Sequence, residues 1–204
     1  MPPLAGWTLW ITGFVGKAPA LDSVMRLLCN DYFLPLTICL IMLILWLGQQ
    51  DRIKRNHIQR AIMDASVAIG ISTLVVALIN SFWNPWPRPF LVDDPIIRES
   101  ARYAAQTIFY FPTDPSFPSN GATIAFAAAT GVWFGNRKAG AVVFVLATLW
   151  AVARFYAGIH FFVDVAGGAV VGILTALFIS KVFMPQIEPL PTWTMKLCRL
   201  LYLA

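Results

Sequence analysis

Five stretches of the chain carry few or no charges and are long enough to approach a membrane crossing: residues 32–48, 61–83, 119–135, 139–158 and 161–183. A helix needs about 17–25 largely apolar residues to span the hydrocarbon core. The pattern therefore predicts an all-α, polytopic membrane bundle of about five transmembrane helices, with residues 119–135 giving the weakest hydropathy signal. Ahead of it, Leu21, Val24, Met25 and Leu28 recur at helical spacing, while Asp22, Ser23 and Arg26 fall elsewhere. That predicts an N-terminal amphipathic helix lying at the interface, or a helix packed on the loops. Residues 4–15 are apolar and Trp-rich, lack a basic leader, and read as interfacial or re-entrant mature protein rather than a signal peptide. The chain reads as one domain, 1–204. Residues 1–30 form an interfacial segment, 32–183 the bundle, and 184–204 a cytoplasmic tail.

Composition supports the membrane reading. Hydrophobic residues make up 58% and charged residues 12%, against about 25% charged in a soluble domain. The net charge of +5 has a topological pattern. Arg52, Lys54, Arg55 and Arg60 precede the second span, Arg137 and Lys138 precede the fourth, and Lys181, Lys196 and Arg199 follow the bundle. Five spans put these groups on one side, which the positive-inside rule makes the cytoplasm. This arrangement gives no reason to expect a nucleic-acid partner. Cys29, Cys39 and Cys198 form no CxxC pair and read as packing residues rather than a disulfide framework or metal site. Asp64 lies near the cytoplasmic end of its span, and Gly168 and Gly172 form a small-xxx-small pair suited to close helix packing. Oligomeric state is left open.

The candidate chemistry gathers at the opposite edge. Arg88 follows the second span, Ser119-Asn120-Gly121 opens the third, and Arg154, His160 and Asp164 bracket the turn between the fourth and fifth. Taken singly, each has an ordinary explanation: an interfacial arginine, a helix cap, a structural polar residue. Co-location changes the weighing, because ionisable groups at membrane depth are functional candidates. His160 and Asp164 stand four apart, on one helix face. A carboxylate against one imidazole nitrogen leaves the other free to attack. Guanidinium groups suit a phosphate, and the unpaired amides of a helix start make an anion site that Gly121 lets a ligand approach closely. Arg98 and Arg102 are further candidates for a second phosphate, with pairing to Asp93, Asp94 or Glu99 as the simpler account.

These motifs, Arg88-Pro89-Phe90, Phe117-Pro118-Ser119 and Arg154-x5-His160-x3-Asp164, resemble the type 2 phosphatidic acid phosphatase superfamily, and within it the bacitracin-resistance type of undecaprenyl-pyrophosphate phosphatase. The likeness extends to residues 17–25 and 136–140. It implies an outward-facing lipid phosphatase of the bacterial plasma membrane. Undecaprenyl pyrophosphate would be the substrate, with phosphatidylglycerophosphate, phosphatidate or lipid A phosphates as alternatives. His160 would form a phosphohistidine, Asp164 would orient it, and Arg88, Ser119, Asn120 and Arg154 would bind phosphate. No metal or cofactor is implied.

Two positions depart from the superfamily pattern. Ser81 stands where a Lys is common, and Gly121 stands where the superfamily places the histidine that protonates the leaving group. His57, the other histidine, sits among the cytoplasmic basic residues and cannot substitute. Loss of the acid burdens release of an alkoxide more than release of a lipid monophosphate, which is already a stable anion. Three readings of Gly121 stay open: an engineered His-to-Gly variant made to trap a substrate, favoured because the rest of the set is intact; a natural member with a weakened or relocated acid; and a lipid-phosphate binder without turnover.

Overall fold

The computed structural model describes residues 2–201. All described elements are helical: α1 (Gly6–Thr12), α2 (Pro19–Cys29), α3 (Phe33–Leu47), α4 (Arg52–Phe82), α5 (Pro95–Ile108), α6 (Asn120–Gly135), α7 (Arg137–Tyr156), α8 (Phe162–Phe178), α9 (Met184–Gln186) and α10 (Leu190–Leu200). Each of the five apolar stretches has become a helix. They differ in reach. Three helices are long and apolar enough to cross a membrane: α4, α7, and α8 continued through a π-turn to Gln186. The apolar α3 joins the amphipathic α2 as a pair bent by 55°. With 16 residues, α6 rises about 24 Å at 1.5 Å per residue, short of a hydrocarbon core of about 30 Å.

The short α6 is the centre of the bundle, enclosed by α4, α7 and α8. Its neighbours approach closely because glycines line the contacts. A Cβ at Gly168 would stand 2.4 Å from the carbonyl oxygen of Ser119, and one at Gly172 would stand 2.2 Å from that of Thr123. The small-xxx-small pair of α8 thus packs on α6, as its spacing predicts. On the other flank, a Cβ at Gly131 would stand 2.4 Å from Ala65 on α4. Outward faces carry exposed Leu36, Leu43, Leu74, Val145 and Leu174, the apolar belt a bilayer requires. Gly172→Ala drives a methyl into backbone that cannot move alone, so α8 must shift off α6. The expected cost is about 1–3 kcal/mol, read as a lowered midpoint of thermal unfolding in detergent.

Three regions outside the apolar stretches are also helical. The basic residues 52–60 ahead of the second stretch belong to α4: Asp51 caps the amides of Ile53 and Lys54, and the segment continues directly into the apolar part. The long outer connection contains α5, capped by Asp94. Residues 184–201 fold back on the bundle rather than trailing as a tail. Arg60 pairs with Glu188, Arg199 donates to Asn56 at 2.7 Å, and Met184 and Met195 are buried; residues 202–204 lie outside the described residues. In α2 the amphipathic face is turned. Leu21, Val24 and Leu27 are exposed, while buried Asp22 accepts from the Tyr156 hydroxyl at 2.6 Å and from the Gly16 amide at 2.9 Å.

Candidate active site

The end of the bundle opposite the basic residues holds a cavity of about 280 Å³, lined in part by Gly121, Asn120, Arg154 and His160. Five segments build it: the turn into α3 with its first residues, the stretch after α5, the start of α6, the end of α7, and the turn into α8.

His160 sits in that turn, buried, and its neighbours settle its tautomer. Nδ1 lies 2.9 Å from the carbonyl oxygen of Ser116, which can only accept, so Nδ1 carries the hydrogen. Nε2 lies 3.5 Å from Nη1 of Arg88, which can only donate, so Nε2 presents its lone pair. Asp164 is placed differently from the direct carboxylate–imidazole hydrogen bond that the i, i+4 spacing predicts. Its Oδ2 is 3.7 Å from Nδ1, too far for a hydrogen bond. That oxygen instead accepts from the Ser116 hydroxyl at 2.6 Å and the Phe161 amide at 2.7 Å, while Oδ1 accepts from the Trp86 indole at 2.9 Å. Asp164 thereby fixes the two segments that hold the ring, and its charge acts on the imidazole through space.

Of the two arginines, Arg154 lines the cavity, while Arg88 stands beside His160 without lining it. Arg88 is pinned by the carbonyl oxygens of Ile159 at 2.7 Å and Asp114 at 2.8 Å, and by the Asp114 carboxylate at 3.0 Å. Arg154 pairs with Asp31 and is flanked by the rings of Trp150 and Phe109, 5.1 and 5.2 Å from its guanidinium carbon. Tyr110 donates to the same Asp31 at 2.8 Å. Each guanidinium therefore already has a carboxylate partner.

Ser119 is fully buried and caps α6: its amide donates to the Asp164 carbonyl oxygen at 3.0 Å, and its hydroxyl takes the Ala122 amide at 3.5 Å. It stands behind the cavity and does not line it. The amides of Asn120 and Gly121, in the first turn of α6, have no acceptor within the helix. Arg98 pairs with Glu99, and neither it nor Arg102 lines the cavity. Sequence reading missed Ser116, Asp31, Asp114 and Trp150. Only Trp150 had a signal, standing one turn before Arg154 on the same face of α7. Among the described residues no cluster of three or more His, Cys, Asp or Glu side chains offers a metal site.

A family model described as the PAP2 superfamily matches residues 61–188. Undecaprenyl-diphosphatase BcrC of Bacillus subtilis (strain 168) is 29% identical over 164 residues, covering 80% of this chain and 76% of that protein. The crystal structure of Aquifex aeolicus LpxE superposes with a TM-score of 0.58 at 26% identity, over 86% of this chain and 93% of the other. A transmembrane PAP2 type phosphatidylglycerolphosphate phosphatase from Bacillus subtilis gives a TM-score of 0.53 at 18% identity, over 93% and 90%, a likeness of fold alone.

Proposed function

Because the chain belongs to the PAP2 superfamily, as a multi-pass membrane lipid phosphatase, we propose that it removes the terminal phosphate of undecaprenyl pyrophosphate through a phosphohistidine at His160. One observation carries the reading. His160 lines a cavity together with Arg154 and the start of α6, and its unprotonated ring nitrogen lies 3.5 Å from Nη1 of Arg88. Nε2 attacks the terminal phosphorus and the bridging P–O bond breaks, releasing the lipid monophosphate. Water then attacks phosphorus, the N–P bond breaks, and the imidazole returns. Arg88, Arg154 and the amides of Asn120 and Gly121 stabilise the charge on the equatorial oxygens. Ser119 contributes by fixing the start of α6. Two features favour a diphosphate: the resemblance to an undecaprenyl-diphosphatase over 80% of the chain, and a glycine at position 121, where no acid can protonate an alkoxide. The basic residues at the far end support a site on the outer face of the plasma membrane.

Phosphate release by the full chain from undecaprenyl pyrophosphate, undecaprenyl phosphate, phosphatidylglycerophosphate and phosphatidate tests this. The diphosphate is expected to give the highest kcat/KM; a monoester that outruns it overturns the substrate assignment. The same assay carries a pH prediction. Burial is the largest influence on His160 and pushes its pKa down, and the Arg88 charge pushes the same way, while Asp164 opposes them. Only the neutral ring attacks, and protonation silences it. The acid limb of kcat/KM is therefore expected below the ordinary imidazole pKa of about 6.5.

A further inference from the structure

Trp150 is 3% exposed and lines the cavity, yet its indole nitrogen has no hydrogen-bond partner. A buried donor left unpaired is costly and calls for an explanation. Its surroundings supply one. Cζ2 of Trp150 lies 3.4 Å from where a Cβ of Gly121 would stand, and Nε of Arg154 lies 3.1 Å from the same point. Cζ2 is bonded to the carbon that carries Nε1, so the N–H edge of the ring borders the space that Gly121 leaves open. Arg154 Nε is also buried and unpaired, as is the side-chain oxygen of Asn120. Two buried donors thus converge on one small volume where the backbone has no side chain.

We propose that Trp150 is a further substrate-binding residue, its indole N–H donating with Arg154 Nε to a phosphate oxygen of a lipid diphosphate seated against Gly121. The proposal rests on the phosphatase reading above and adds a reason for its preference among substrates. Neither donor gives up its hydrogen near neutral pH, so neither can protonate an alkoxide. Both can hold the charge of a phosphate that leaves as an anion, a charge-assisted interaction of the stronger kind. An anion there also gives the Asn120 amide a reason to turn its NH2 inward. The ring face of Trp150 has a separate duty, flanking the Arg154 guanidinium at 5.1 Å.

Trp150→Phe separates the two duties, because it keeps an aromatic face beside Arg154 and removes only the N–H. With the full chain in detergent micelles, kcat/KM for undecaprenyl pyrophosphate is expected to fall roughly 10- to 100-fold, the range for a hydrogen bond to a charged group, with a smaller change for undecaprenyl phosphate. A readout independent of turnover accompanies it. In protein labelled with nitrogen-15 at tryptophan, the indole resonance missing from Trp150→Phe is expected to shift on addition of inorganic pyrophosphate. If that resonance stays still while pyrophosphate binds in an Arg88-dependent manner, or if Trp150→Phe matches the parent on both substrates, the role of Trp150 is refuted and the phosphatase site stands. Binding that is absent, or unchanged in Arg88→Ala, overturns both.

Discussion

Replacing His160 by alanine is expected to lower phosphate release by about 10⁴-fold or more, the scale seen when a covalent nucleophile is removed and only binding groups remain. The site explains why so much rests on one ring. Nδ1 is committed to the Ser116 carbonyl at 2.9 Å, and Nε2 is left as the free base beside Arg88. Among the described residues the other histidine, His57, is at the far end of the bundle, where its Nε2 meets the Phe134 carbonyl at 2.9 Å. The change should leave folding intact, because Asp164 keeps Ser116, Phe161 and Trp86 as partners. Rapid acid quench with labelled substrate should trap a phosphoenzyme in the parent and none in His160→Ala. Residual activity within tenfold of the parent rules out His160 as nucleophile.

The second large effect concerns Gly121→His. A general acid contributes about 10²- to 10⁴-fold, and its value depends on what leaves. Hydrolysis of a lipid monophosphate is expected to rise by about 10²-fold or more. Hydrolysis of the diphosphate gains less from the acid, because its leaving group is already a stable anion, and it loses the space against Gly121. The new side chain has to be accommodated: its Cβ would stand 3.1 Å from Arg154 Nε and 3.4 Å from Trp150 Cζ2. The Arg154 side chain must give by a few tenths of an ångström, whereas the distance to Trp150 is an ordinary contact. The ratio of monoester to diphosphate rates is the diagnostic quantity, since it cancels differences in expression and folding. A ratio that does not move, in a variant with the parent's unfolding midpoint, removes Gly121 from the acid position.

Hydropathy alone located the five apolar helices, because a crossing helix must be apolar over most of its length. The same averaging hid α5. Ile97, Ala101, Ala104, Ala105 and Ile108 repeat at helical spacing behind the Asp94 cap, but the polar residues between them cancel the signal. It also hid the first turns of α4, where Arg52, Lys54 and Arg55 precede the apolar stretch. At the site, spacing along the chain predicted that His160 and Asp164 share a face. It did not reveal that the imidazole would choose a backbone carbonyl over the carboxylate, because Ser116 comes from another segment and reaches the ring only through tertiary folding. Asp31 and Asp114 were invisible for the same reason. An isolated carboxylate in a loop has no pattern until the chain brings a guanidinium to it.

The paired state of those arginines sets the terms on which any anion enters. Arg154 is held by Asp31 and Arg88 by Asp114, so an arriving phosphate exchanges with a carboxylate instead of neutralising a bare cation. The affinity it gains is the difference between two similar attractions. A lone inorganic phosphate brings little beyond the charge it displaces, whereas a lipid diphosphate adds a second anionic group and a membrane-bound tail. On the phosphatase reading proposed above, the resident carboxylates would reclaim their partners as the small product leaves.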